Sequence, residues 1–525
     1  VDIRRKHLLV LALLALVYYA PGVFSPRDFW VADEARYAQV VREALADGQW
    51  LVPHLNGFYY TDKPPLYFWL AGLISMAVSE ITPWAFTVIS GLSALACILA
   101  SYVLGASIFS PSAAFLGSAV LMSTFVFLFC AEIVRMDMLF AAFVTAAILS
   151  FYHGYESRQR RWYCFFYAGC GLAVMTKGPL GLAFPLAAAV LWLVARREWR
   201  EIGRFLGHWG WLLPAVMVGG WLGTAAVVGS PEFVAAIFRR EIAGRAFRAF
   251  SHPEPFYFYA LVLPFVLLPW SPFAVGAWRQ AWRERRSAAG LLTWWFLGGF
   301  VIISAISGKL FIYVLPLMPP LALLMGNYLD NAIRQTVPLR GIRIATVIAV
   351  LAAFGPLAAM PLVVRRFAPW PEFTLLPLAP LGWLFAGLLV CGLVFCGLRK
   401  VREVLFLLFA GLWLFSCYAF QVVAPKANHL CSARQIARAM TSLAESGHEV
   451  ATSGVQRGIL NFYAQKIIPE LSRDEVRDYL DKPGSVIVLP EKHYRHLVEQ
   501  ATGAYRILGT YFIVDTRYHL VTRGE

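Results

Sequence analysis

Residues 31–69 read VADEARYAQVVREALADGQWLVPHLNGFYYTDKPPLYFW, a polar, aromatic and charged stretch between one hydrophobic segment and many more. Tyr37, Val40, Val41, Ala44 and Leu45 recur at helical spacing after Asp33 and Glu34. That spacing predicts one apolar face of an amphipathic helix lying on a surface. Pro53, Gly57, Pro64 and Pro65 then bend the chain, with Asp62 and Lys63 at the bend. An acidic pair and a lysine held between a surface helix and a Pro-Pro turn fit the floor of an active site. They equally fit a solvated loop at a membrane edge.

Composition decides the class. Of 525 residues, 59% are hydrophobic and 15% charged, and mean hydropathy is +0.61. Repeated apolar runs of about 20 residues are what helices need to cross a bilayer. The net charge of +15 comes in short basic clusters between apolar runs, the mark of cytoplasmic loops, and no nucleic-acid partner is expected. Eight cysteines show no CxxC and no disulfide framework. The opening IRRKHLLVLALLALVYYA has no convincing cleavage site after it, so it is read as a retained span.

The basic clusters set the topology. Span one, about 7–24, follows Arg4, Arg5 and Lys6, which places the opening stretch outside. Spans at 83–109, 112–131 and 138–154 bring Arg158, Arg160 and Arg161 inside. Those at 162–176 and 179–195 do the same for Arg196, Arg197, Arg200 and Arg204, and those at 208–229 and 256–277 for Arg279, Arg283, Arg285 and Arg286. Spans 289–307 and 310–329 return Arg334, Arg340 and Arg343, spans 341–362 and 376–397 return Arg399, Lys400 and Arg402, and span 403–422 exits. Counting 66–79 as a crossing would put most clusters outside, so it is read as an interfacial helix. The expectation is an α-helical polytopic membrane protein with about thirteen spans over 1–423 and juxtamembrane helices within 25–80. From residue 424 the chain turns polar, and 424–525 read as an outer α/β domain: a helix over SARQIARAMTSLAESG, a buried strand at Ser485–Leu489 and a second apolar run at Tyr511–Val514.

With this topology the outward charges are Asp33, Glu34, Asp62, Lys63, Arg135, Asp137, Lys177, Lys309 and a loop carrying Arg239, Arg240, Arg245, Arg248 and His252. Any one could be paired locally or snorkel. Their gathering on one face from six connections points to a site, and acids ringed by cations suit a phosphate-bearing substrate.

The series DEARYA, YYTDKPPLYFW, RMDMLF, TKGPLG and SGKLFIYVLP resembles bacterial lipid A aminoarabinose transferases. More distantly it resembles protein O-mannosyltransferases and oligosaccharyltransferases, all multispanning glycosyltransferases that use lipid-phosphate sugars. The resemblance covers most of the membrane part and implies an inner-membrane enzyme whose site and C-terminal domain face the periplasm. It implies an inverting transfer from undecaprenyl phosphate to a lipid A phosphate by a monomer. By the same resemblance Asp33, Glu34 and Asp137 are the catalytic acids. Lys63, Arg36, Arg135, Tyr59, Arg240, Arg245, Arg248, Lys309 and Tyr313 would hold the donor and its phosphate. A divalent metal, zinc or another, is associated in such enzymes with the acid before the lysine and a loop histidine, here Asp62 and His252. Asp62 departs from the usual glutamate, and two ligands are fewer than a zinc site holds.

No cofactor is required by the chemistry, because a sugar on a lipid phosphate already has a leaving group once cations offset its charge. Transfer to a protein hydroxyl is the alternative within the superfamily. A transporter would set ionisable groups near the bilayer midplane, where this chain carries almost none.

Overall fold

The computed structural model describes residues 2–30, 33–229, 231–239, 254–334, 339–367, 371–499 and 505–524. The chain is a helical membrane bundle followed by a small α/β domain. Helices stand at each of the thirteen expected places. Among the described residues eight are long and apolar enough to cross a membrane, or ten if each of two bent pairs makes one span. The shortfall from thirteen lies in helices such as Leu180–Ala195 and Gly290–Ala305, each of 16 residues. At 1.5 Å per residue such a helix reaches about 24 Å, short of a hydrocarbon core of about 30 Å.

One bent pair, Pro111–Met122 and Phe125–Ala131, turns by 65°. The bend has a local cause. Ser123 Oγ donates to the Ala119 carbonyl and Thr124 Oγ1 to that of Val120, each at 2.7 Å, and such back-bonding loosens the helical ladder. The Phe125 N–H leaves the helix to reach the Leu268 carbonyl at 2.8 Å. This turn brings the segment 132–136 to the mouth of the bundle, ahead of the span Asp137–Ser157.

Leu66–Ala77 has 12 residues, about 18 Å of helix and too short to cross. It packs on the helix Asp33–Asp47, where the Tyr37 ring meets Tyr67 and Phe68 at 5.9 and 5.6 Å. Asp33–Asp47 buries Tyr37, Val40, Val41 and Ala44 as its spacing requires, but also Ala38, Gln39 and Glu43. It is therefore sandwiched, not laid on a surface. Its second face is covered by a hairpin, His54–Leu55 paired with Phe58–Tyr59, and by the helix Ile459–Ala464 of the C-terminal domain. Asn56 and Gly57, both at positive φ (56° and 78°), make the two-residue turn that such hairpins favour. Glu43 fixes that turn by accepting from the N–H groups of Asn56 and Gly57 at 2.7 and 3.0 Å.

The C-terminal sheet runs in the order Glu449–Thr452, Ser485–Pro490, Thr516–Arg523, Tyr505–Ile513. The first two strands are parallel and the others antiparallel. Helices cover both faces, which is why 485–490 reads as an unbroken apolar run. Val486 and Val488 join a cluster with Ile436, Met440 and Leu460, while Ile487 and Leu489 join Val476, Leu480 and Leu497. The first face docks on the membrane domain. Arg434 pairs with Asp28 at 3.0 Å, Asn428 Oδ1 accepts from Asp28 N and Trp30 Nε1 at 3.0 Å, and the Tyr463 hydroxyl donates to the Phe29 carbonyl at 3.0 Å.

Candidate active site

The first turn of Asp33–Asp47 carries two acids, favoured there by the helix dipole, and their side chains part company. Asp33 stays at the mouth. Its Oδ1 lies 3.4 Å from Arg36 and its Oδ2 lies 3.1 Å from Arg135. Arg135 Nε donates to Asp137 Oδ2 at 3.1 Å, and Asp137 Oδ1 accepts from Lys177. The Lys177 ammonium sits 4.3 Å from the centre of the Tyr313 ring, a cation–π contact. Asp33, Arg36, Arg135, Asp137, Lys177 and Tyr313 thus form one connected group drawn from four parts of the chain. Three cations face two carboxylates, leaving an excess positive charge.

The electrostatics support charged forms. Burial works against the Arg36 and Arg135 guanidiniums, yet both are held above the usual arginine range. The charges responsible are the carboxylates of Asp33 and Asp62 beside Arg36, and of Asp137 and Asp33 beside Arg135. Burial, then the negative field of Asp62, pushes the Tyr60 hydroxyl up. Asp62 therefore belongs to the same electrostatic group, beside Arg36 and Tyr60. Lys63, next in the chain, is half-buried at the same bend.

Glu34, expected among the catalytic acids, is held in a hydrogen-bond network of its own. Arg27 grips it with two bonds, 2.5 and 2.9 Å, and the N–H groups of Trp30 and Val134 donate to it at 2.9 and 3.0 Å. Its neighbour in space is thus the backbone just before Arg135. Lys309, expected on the donor, turns inward and donates to the carbonyls of Glu254 and Ile306 at 3.0 and 2.5 Å. It ties Glu254 to the end of the helix Gly290–Ala305. Tyr59 is exposed on the hairpin, its ring 5.3 Å from His54 and 5.7 Å from Phe233.

Arg240, Arg245, Arg248 and His252 lie outside the described residues. Among the described residues no group of three or more His, Cys, Asp or Glu side chains is placed to hold a metal ion. Asp62 has cationic Arg36 for a neighbour, an environment that competes with a bound cation.

Lys177 stands in the TKGPLG motif at the end of Arg161–Lys177, and its pairing with Asp137 fixes its place in the group. One contributor escapes the motif reading. Arg27 lies in a connection whose sequence gives no hint that it clamps Glu34. The C-terminal domain also takes part: Gly458 sits against the backbone of Arg36, where an added Cβ would stand 2.7 Å from Leu55 and 3.3 Å from Arg36 Cα.

The fold matches a known class. The crystal structure of ArnT from Cupriavidus metallidurans bound to undecaprenyl phosphate superposes with a TM-score of 0.80 at 20% identity, over 98% of this chain and 97% of that one. The two chains share one architecture, a helical membrane bundle followed by a small α/β domain. The dolichyl-phosphate-mannose-protein mannosyltransferase family matches residues 62–222. The undecaprenyl phosphate-alpha-4-amino-4-deoxy-L-arabinose arabinosyl transferase of Edwardsiella ictaluri is 31% identical over 379 residues, 69% of this chain and 65% of its own length. That of Pseudomonas aeruginosa strain LESB58 is 30% identical over 392 residues, 72% of this chain and 70% of its own. The chain belongs to the undecaprenyl phosphate-4-amino-4-deoxy-L-arabinose arabinosyl transferase family.

Proposed function

We propose that this enzyme moves 4-amino-4-deoxy-L-arabinose from undecaprenyl phosphate to a phosphate of lipid A, working as a monomer in the bacterial inner membrane with its site and C-terminal domain facing the periplasm. The names of its relatives support the donor sugar. The observation that carries the reading is the linked group of Asp33, Arg36, Arg135, Asp137 and Lys177, with its surplus of cations.

In this reading Lys63, Arg36 and Arg135 hold the donor phosphate, aided by the loop arginines 240, 245 and 248. As the bond from the anomeric carbon to the phosphate oxygen breaks, the electron pair stays on the phosphate. A cation about 4 Å from that growing charge contributes on the order of 4 kcal/mol at an effective dielectric of about 20. An oxygen of the acceptor phosphate attacks the opposite face of the sugar, so the configuration inverts. A phosphate monoester is largely ionised at neutral pH, its second pKa being about 6, and it needs no base. Asp33 then orients the sugar, through its amino group, while Asp137 positions Arg135 and Lys177. Glu34 holds the segment that carries Arg135. Asp62 neutralises part of the local positive charge and needs no metal in this scheme.

The match of 62–222 to protein mannosyltransferases favours one alternative, transfer to a protein hydroxyl. Mass spectrometry of lipid A and of membrane glycoproteins from cells with and without the gene separates the two. Lipid A heavier by one amino-pentose residue, only when the gene is present, is the expected result. Unaltered lipid A alongside a gene-dependent glycoprotein would reject it.

A further inference from the structure

A cavity of about 710 Å³ opens in the C-terminal domain, far along the sequence from the motifs above. It lies at the carboxyl ends of the two parallel strands, where Ser453 follows Glu449–Thr452 and Leu489 closes Ser485–Pro490. Crevices at the carboxyl ends of parallel strands, where the strand order changes direction, are common ligand positions. Here the second strand pairs parallel on one side and antiparallel on the other.

The floor is apolar, formed by Val476, Leu489 and Leu497. These belong to the sheet face opposite the one that docks on the membrane domain, so the cavity is separate from the transferase site. Its rim brings together Arg473, Arg477, Lys492, His493 and His496. Arg473 and Lys492 line the same cavity as His493, and both impose a positive field on its ring. Among the described residues no ion pair ties up either of them. The His493 ring forms part of the wall, packed against Gly454. Asp474 and Asp478 stand on the same rim, placed to accept from hydroxyl or amino groups.

We infer that this cavity is a binding site for a phosphorylated sugar, the phosphate on Arg473, Lys492 and His493 and the sugar ring over the apolar floor beside Asp474 and Asp478. The volume suits it, since small-molecule sites run from about 300 to 1,000 Å³. Converging guanidinium, ammonium and imidazole donors select phosphate over a neutral sugar. The phosphosugar has two sources, a free sugar phosphate or the headgroup of a phosphorylated glycolipid.

The test uses the full-length enzyme in detergent, with glucosamine 1-phosphate, glucosamine and lipid A as probes, read by calorimetry and by hydrogen–deuterium exchange. Glucosamine 1-phosphate should protect 473–480 and 491–499 from exchange while glucosamine does not. The double variant Arg473→Ala/Lys492→Ala should weaken binding roughly tenfold to a hundredfold, the size of a lost charged hydrogen bond. It should leave transfer rate unchanged, since both side chains are exposed and remote from the donor site. Stronger protection by lipid A than by the free phosphosugar assigns a glycolipid headgroup, and the reverse order assigns a soluble ligand. Equal binding of glucosamine and its phosphate, no protection of these two segments by any probe, or undiminished binding by the double variant would overturn the inference. None of these outcomes depends on which acceptor the membrane site uses.

Discussion

Arg135 joins Asp33 to Asp137: its Nη1 lies 3.1 Å from Asp33 Oδ2 while its Nε donates to Asp137 Oδ2 at 3.1 Å. One guanidinium thereby connects the first turn of the sandwiched helix to the start of a membrane span. Its planar fork makes both contacts at once, which a lysine cannot reproduce. Arg135→Lys is therefore expected to keep the protein folded but lower kcat by one to two orders of magnitude. Arg135→Ala should also destabilise it, because breaking a buried pair costs about 3–5 kcal/mol. Transfer assays on purified variants with a thermal melt check both statements. Wild-type kcat in Arg135→Lys would remove Arg135 from the site.

Lys63 is assigned to the donor phosphate, so Lys63→Ala should abolish transfer while expression and Tm barely change. A half-buried residue at a wet mouth contributes little to packing. Lys63→Arg should keep part of the activity, since the charge persists in a different geometry. Near-normal transfer by Lys63→Ala would move the phosphate to the loop arginines 240, 245 and 248.

Glu34 should behave differently from Asp33. Its two oxygens accept from Arg27, Trp30 and Val134, so Glu34→Gln replaces one acceptor with a donor and leaves the Arg27 charge buried without its counter-ion. The expected loss is about 3 kcal/mol or more of stability, read as a fall in Tm and in membrane yield. The folded fraction should show a near-normal KM. Normal stability with a dead enzyme would return Glu34 to catalysis.

Much of this was legible in the sequence because the signals were local. Periodicity placed the helix at 33–47, and the apolar runs placed the membrane helices, of which eight to ten among the described residues are long enough to cross. Charge asymmetry led to 66–79 as a non-crossing helix, and Leu66–Ala77 is too short to cross. The alternation of Ile487 and Leu489 with Val486 and Val488 was hidden, since a strand buried on both faces shows no period. Of the pairings within the site only the local one, Arg135 with Asp137, was open to reading from the sequence. Nothing near Glu34 announces Arg27 as a clamp, and nothing near Lys309 announces that two backbone carbonyls take its ammonium. Such roles follow from which segments fold together, and a motif records only which residues are present.

Orientation is open to a direct test. A single cysteine at position 57, on the hairpin turn, should react with a membrane-impermeant maleimide added to intact spheroplasts. One at position 159, at the opposite end of the span Asp137–Ser157, should react only after permeabilisation. The reverse pattern would invert the topology and place the site in the cytoplasm.

Asp33 distinguishes the two acceptor chemistries. A serine or threonine hydroxyl is a weak nucleophile and needs a base within hydrogen-bond reach, and Asp33 is the acid at the mouth of this site. A phosphate acceptor is already ionised, which leaves Asp33 to orient the sugar. Asp33→Asn keeps the shape and one acceptor oxygen toward Arg135 while removing the charge. With a lipid A acceptor the variant should retain measurable transfer, reduced by roughly one to two orders of magnitude through loss of a charged hydrogen bond of about 1.5–3 kcal/mol. The residual rate should change little between about pH 6.5 and 8, because the acceptor phosphate stays mostly ionised above its second pKa of about 6. With a protein hydroxyl as acceptor the same substitution should be inactive across that range. The measurement is a rate–pH profile of purified Asp33→Asn, with its melting temperature taken alongside. A folded variant with no transfer at any pH would assign Asp33 as a base and move the acceptor from phosphate to hydroxyl.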